Sequence, residues 1–166
     1  MRILLAAVGR LKSGPERDLA ARYRERAAQV GRGLGFPACD VVELIESRAR
    51  RAPDRCAEEG AGLLAHLPPG GMLCVYDQRG RADLPSEAIA GRVRDWRDAG
   101  RPALVVAVGG ADGLDPSVRA RADLTLSFGA ATLPHGLVRV LALEQLYRVL
   151  TILAGHPYHR GDPDAA

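Results

Sequence analysis

Ala103-Leu-Val-Val-Ala-Val108, running without a break into Gly109-Gly-Ala-Asp-Gly113, decides the fold of this chain. Six consecutive apolar residues show no alternation, so neither face of such a strand looks at water. Similar short runs recur at Arg2 to Val8, Asp40 to Ile45, Met72 to Tyr76 and Leu124 to Phe128. Stretches of helical spacing separate them. Pro15 to Val30 sets Leu19, Tyr23 and Ala27 four apart before Gly31-Arg-Gly-Leu-Gly35 breaks the pattern. Arg50 to Leu67 follows, then Pro85 to Ala99 with Ile89, Val93 and Trp96 on one face, then the short Pro116 to Ala122. Strands buried on both faces and alternating with helices predict an α/β domain, a parallel sheet covered by helices on both faces. Neither a repeat nor a linker interrupts it. Residues 1–160 form one domain, and 161–166 read as a polar tail.

The last helix breaks the usual pattern. Leu137, Val138, Val140, Leu141, Leu143, Leu146, Val149, Leu150, Ile152 and Leu153 leave it no clean polar face. It requires cover on most sides, from its own fold and from a second subunit. The chain then ends in a dense polar cluster, His156-Pro-Tyr-His-Arg160, which has no packing rationale and suggests a site.

Composition bounds the function. The chain has 166 residues, 47% of them hydrophobic and 26% charged, a globular balance. Aromatic residues are only 4%, which argues against a binding surface built from rows of stacked rings. The net charge of +3 permits an acidic polymer as partner and equally fits a solvated, mildly basic surface. Cys39, Cys56 and Cys74 show no metal spacing and imply no disulfide. No segment resembles a signal peptide or approaches the roughly 20 apolar residues of a membrane span. The expectation is a soluble cytoplasmic protein with neither metal nor membrane partner.

Ligands of open parallel sheets bind beyond the carboxyl ends of the strands. Three loops fall there: Tyr76-Asp-Gln-Arg-Gly80, Gly109-Gly-Ala-Asp-Gly113 and Gly129-Ala-Ala-Thr-Leu-Pro134. Paired glycines behind a strand let a ligand approach the backbone closely, although a plain turn uses the same residues. No Gly-Lys-Ser/Thr follows them, which excludes a P-loop, and their spacing does not fit a dinucleotide fingerprint. There is no serine elbow and no matched pair of carboxylates. His135 and Arg139, four apart, share a face at the start of the last helix, where free N–H groups favour an anion. A capping role for His135 is the alternative. Glu144 and Arg148, also four apart, fit an ion pair along the helix.

Taken together, Val106-Ala-Val-Gly-Gly-Ala-Asp-Gly-Leu114, Ala131-Thr-Leu-Pro-His-Gly-Leu-Val-Arg-Val140, Glu144-Gln-Leu-Tyr-Arg148 and His156-Pro-Tyr-His-Arg160 closely resemble the RlmH family of bacterial ribosomal RNA methyltransferases. The opening Ile3-Leu-Leu-Ala-Ala-Val-Gly9 fits as well. The family belongs to the SPOUT class, α/β homodimers with a C-terminal trefoil knot. Pattern reading would not reach that topology, because connection rules disfavour knots. The resemblance implies methylation of N3 of pseudouridine 1915 in helix 69 of 23S rRNA, within the assembled ribosome, with S-adenosyl-L-methionine as cofactor. Carried across residue by residue, it assigns the cofactor to Tyr76, Gly110 and Gly129, Ala130, Ala131, Thr132, Leu133 and Pro134, with Asp77 and Gly109 beside them. His135, Tyr158 and His159 are its catalytic candidates, and Arg139, Arg148 and Arg160 its RNA-phosphate candidates. The ending is similar to an element that reaches the partner subunit's pocket.

The chain departs from the family pattern at three points. Ala111-Asp112 stands where some relatives have Pro-Glu, Gly136 where others have proline, and the tail continues to Ala166. Three rival readings remain at this stage: a SPOUT methyltransferase acting on tRNA or another rRNA position, a non-catalytic ribosome-binding module, and a nucleotide-binding Rossmann-like enzyme.

Overall fold

The computed structural model describes residues 1–156. Five strands and five helices alternate: β1 (Arg2–Val8), α1 (Pro15–Arg32), β2 (Cys39–Leu44), α2 (Ala52–Leu64), β3 (Met72–Arg81), α3 (Ser86–Asp98), β4 (Ala103–Val108), α4 (Pro116–Arg121), β5 (Leu124–Leu126) and α5 (His135–Leu153). The sheet is parallel throughout, in the order β2-β1-β4-β3-β5. The Ala103-to-Val108 run becomes β4, the central strand, with every residue buried.

The period-two alternation of the strands divides the core. Ile3, Leu5 and Ala7 of β1, Leu104, Val106 and Val108 of β4, and Met72 and Cys74 of β3 pack beneath α1, α3 and α5. Their alternates Ala6, Val8, Val105, Ala107, Leu73 and Val75 pack against Leu63 of α2 and Val118 of α4. Both faces are covered, as the continuous apolar runs predict.

Helix α5 lies against α1 and α3, and these helices of its own chain bury nine of its residues. The part of the cover expected from its own fold is thus met. Leu137, 41% exposed, remains the large apolar residue of α5 most open to solvent. No helix of the described residues is long and apolar enough to cross a membrane.

Three boundaries differ from the sequence expectation for physical reasons. Strand β3 continues through Asp77-Gln-Arg-Gly80 to Arg81, pairing irregularly with Leu126, so the first expected loop is mostly strand. Gly80 makes this possible, because its missing Cβ lets β3 lie directly on the Leu126 backbone. Strand β5 stops at Leu126, which frees Phe128 to turn toward β3. Helix α1 runs past Gly31 to Arg32; a Cβ at Gly31 would sit 3.2 Å from Phe36, whose chain returns across that turn.

Candidate functional site

The carboxyl ends of β4, β3 and β5, neighbours in the sheet, enclose a cavity of about 380 Å³. That volume suits a small organic molecule. Of the residues assigned to the cofactor, Tyr76, Asp77, Gly109, Gly110, Gly129, Ala131, Thr132 and Leu133 line it, while Ala130 and Pro134 do not. Pro134 instead forms the N-cap position of α5.

At the end of β4 the glycines offer bare backbone to the cavity. Gly110 and Gly113 form an antiparallel bridge, with the Gly113 N–H donating to Gly110 O at 3.0 Å. A Cβ on Gly109 would lie 2.7 Å from Gly113 O, and one on Gly110 would lie 2.6 Å from Glu59 Oε2. At Gly109 the collision is with backbone, so close approach requires glycine there, while at Gly110 a side chain would have to displace the Glu59 carboxylate.

Asp112 is held from α2. Arg55 donates from Nε and Nη2 to the two oxygens of Asp112 at 2.7 and 3.0 Å, and from Nη1 to the carbonyls of Ala49 and Arg50. This fork keeps the Asp112 carboxyl below its ordinary range and ties the β4–α4 loop to the segment before α2. Cys56 Sγ donates to Asp112 O at 3.5 Å.

The β3 and β5 walls meet through aromatic rings. Tyr76 and Phe128 stack with centroids 4.4 Å apart and planes 7° from parallel. Burial holds the Tyr76 phenol well above its ordinary pKa, so it is a neutral hydroxyl. Phe128 was not singled out from the sequence. Its signal is its place directly before Gly129, in a chain with only two phenylalanines. Asp77 accepts from the Arg79 N–H at 2.9 Å and faces Arg119 at 3.6 Å. Gly129, at φ +96°, turns the chain out of β5 with its N–H on Ser127 Oγ.

Residues assigned to RNA and catalysis separate in space. His135 is exposed at the start of α5 and lines the cavity. It caps nothing, since the helix start has no side-chain capping bond. Arg139, one turn on, points away from solvent. It is 3% exposed, pairs with Glu43 at 3.1 Å and donates to Val8 O. The expectation of a phosphate contact at Arg139 is therefore corrected: its guanidinium pins α5 to the ends of β1 and β2. Arg148 makes the expected pair with Glu144 at 2.6 Å, half-buried on α5. Tyr158, His159 and Arg160 lie outside the described residues. Among those described, no group of His, Cys, Asp and Glu could hold a metal ion.

Beside β2 the sheet edge opens into a second groove of about 640 Å³, with Val41 on its floor, 38% exposed. Arg10, Arg17 and Arg24 line it. Sequence reading passed over them because arginines scattered at seven-residue intervals read as a solvated helix face.

A parallel α/β sheet whose ligand-sized cavity sits at the carboxyl ends of three adjacent strands, walled by bare glycine backbone, is a small-molecule transferase or binding fold. The family described as predicted SPOUT methyltransferase matches residues 1–159, and the chain belongs to it. Ribosomal RNA large subunit methyltransferase H of Methylobacterium radiotolerans is 77% identical over 162 residues, covering 98% of this chain and 99% of that protein. The protein of the same name from Methylorubrum extorquens is 67% identical over 165 residues, 99% of this chain and 100% of its own. Among solved structures, a probable methyltransferase from Bordetella pertussis shares the fold at a TM-score of 0.51 and 14% identity, covering 89% of this chain and 95% of that one. The resemblance read from the motifs thus holds over nearly the whole chain, and the chain is that of a methyltransferase similar to those acting on large-subunit ribosomal RNA.

Proposed function

We propose that the protein transfers the methyl group of S-adenosyl-L-methionine to N3 of pseudouridine 1915 in helix 69 of 23S rRNA. In this reading it acts in the cytoplasm on the assembled 70S ribosome, as a homodimer with the trefoil knot of its class. The observation that carries the reading is the cavity, which gathers the two glycines of β4, the end of β3 and the loop after β5 against one space.

The residues fit the cofactor. Its adenosine needs close backbone approach and no phosphate site, and Gly109 and Gly110 offer backbone where a Cβ would collide. Its net positive charge suits a wall behind which Glu59 Oε2 is buried without a hydrogen-bond partner. When bound, the cofactor supplies a methyl group already made electrophilic by the sulfonium.

The chain's own work is orientation and proton handling. The Tyr76–Phe128 stack fixes one wall, and the Arg55–Asp112 fork fixes the β4–α4 loop, so the reacting atoms are held in line. His135 lines the cavity, which supports assigning it the proton that leaves N3. Tyr158 and His159 share the catalytic work in this reading, and Arg148 and Arg160 contact RNA phosphates. Arg10, Arg17 and Arg24 give the groove beside β2 a charge that suits the same phosphates.

Transfer of labelled methyl groups is the deciding experiment. Incorporation into intact ribosomes, and none into naked rRNA or tRNA, is expected. Incorporation into tRNA instead would replace the substrate. Cofactor binding with no transfer to any RNA would make the protein a ribosome-binding module.

A further inference from the structure

Glu59 stands out as a buried acid with no ion-pair contact among the described residues. It sits on α2, 8% exposed, in the layer beneath the sheet ends. Its Oε1 accepts the Ser47 N–H at 2.9 Å, while Oε2 has no partner. The free oxygen points at the backbone of Gly110: a Cβ there would meet it at 2.6 Å and Val8 Cγ1 at 3.1 Å. Gly110 is itself a wall of the cavity. Only a glycine's thickness of backbone separates the free oxygen from the ligand space.

None of the neighbouring charges pairs directly with Glu59, although Arg55, one helical turn back, lies within reach of its field. Asp112 takes up the fork of Arg55, and Asp77 faces Arg119. Glu58, the next acid on the helix, accepts from the Ser47 hydroxyl at the exposed side. No ion pair of Glu59 occurs among the described residues. An unpaired buried carboxylate is costly, and a fold keeps one where something in its working state offsets the charge.

We infer that Glu59 is a specificity-determining residue, a fixed negative charge behind the Gly110 wall that makes the cavity favour the cationic cofactor over its neutral product. The inference rests on the reading of this cavity as the S-adenosyl-L-methionine site. That cofactor and S-adenosyl-L-homocysteine share the adenosine and the amino-acid end. They differ by one methyl group and one positive charge at sulfur, and only the charge responds to Glu59. The effect is release of spent product without loss of shape recognition. Glu59 touches no reacting atom and acts across Gly110.

Calorimetric titration of the full-length protein with each compound tests this. Glu59→Gln is isosteric and keeps an acceptor for the Ser47 N–H. It is expected to weaken S-adenosyl-L-methionine by about five- to tenfold relative to S-adenosyl-L-homocysteine, the size of a charge acting through a protein medium of intermediate dielectric. Glu59→Asp keeps the charge and should hold the wild-type ratio within about twofold, in line with charge as the determinant. Equal weakening of both compounds by Glu59→Gln would make the residue merely structural and overturn the inference. An unchanged ratio would overturn it equally. Should Glu59→Gln not fold, a shifted ratio in Glu59→Asp would stand as the refuting result. A wild-type protein that binds neither compound would instead overturn the reading of the cavity itself.

Discussion

Removing Glu43 should cost the protein more than removing the arginine it pairs with. Arg139 has only 4% of its side chain exposed and Glu43 has 32%, and they meet at 3.1 Å. Burial lowers the Arg139 pKa, against the opposing pull of Glu43 and Glu46, so the guanidinium is held charged at a desolvation cost. Glu43→Ala leaves that charge buried with its nearest counter-ion gone. Breaking a buried pair from one side costs about 3–5 kcal/mol, and the partial exposure of Glu43 places it at the low end, about 3 kcal/mol. The same carboxylate accepts the Leu11 N–H at 2.8 Å, and its loss adds up to about 1 kcal/mol.

Arg139→Met removes the charge itself, keeps the apolar stem packed, and leaves Glu43 able to turn toward water. Its expected cost is only about 1–2 kcal/mol, chiefly from the Val8 carbonyl left without its donor. For a domain of this size about 3 kcal/mol corresponds to a fall in Tm of roughly 6–12 °C, and the Met variant's about 1–2 kcal/mol to roughly 2–8 °C. The double variant should cost less than the sum of the two, exceeding Arg139→Met only by the lost Leu11 bond, up to about 1 kcal/mol. Urea and thermal unfolding of the four proteins give the comparison. If Arg139→Met proves as costly as Glu43→Ala, the pair is a net source of stability and the desolvation argument fails.

Other perturbations reach the cavity. Gly110→Ala drives a Cβ to within 2.6 Å of Glu59 Oε2 and should cost about 1–3 kcal/mol and most of the cofactor affinity, whereas Gly91→Ala, in open space on α3, should stabilise by up to about 1 kcal/mol; unfolding and calorimetry of both separate crowding from glycine removal. Alkylation followed by mass spectrometry should modify Cys56 first, because burial pushes Cys39 up to about 11 and Cys74 up to about 12, and ligand binding should slow it through the Asp112 contact. Equal rates at the three thiols would contradict that burial. His159→Ala and Tyr158→Phe should each lower methyl transfer to ribosomes without changing cofactor affinity, and unchanged turnover in both would remove the tail from the reaction.

What could be read from the residues alone divides by range. Continuous apolar runs state that a strand is buried on both faces, so β1 and β4 appear with their true ends. The polar stretch Asp77-Gln-Arg-Gly80 looks like a loop because its strand pairing depends on Gly80 lying against Leu126, far along the chain. Arg139 follows His135 by one turn and reads as its companion. Its destination is fixed by Glu43, 96 positions away, which no local pattern announces. Glu59 next to Glu58 likewise reads as part of a solvated acidic face. Its burial depends on Ser47 and on the glycine of a strand end contributed much later.

The same division explains why the site lies where it does. Strand order β1-β4-β3-β5 puts the carboxyl end of β4 between those of β1 and β3, so the Gly109–Gly110 turn faces the cavity on one side and Val8 and Glu59 on the other. A side chain at Gly110 would have to occupy the gap between them. The glycine therefore serves two separations at once: it admits a ligand to the backbone, and it brings a buried negative charge close behind that backbone. A conventional helix-to-strand ion pair at Glu59 would have satisfied the acid and removed its influence on the cavity. With Arg55 turned instead to Asp112, α2 supplies a rigid clamp for the loop from one residue and a carboxylate oxygen without a hydrogen-bond partner from another, four positions along the helix.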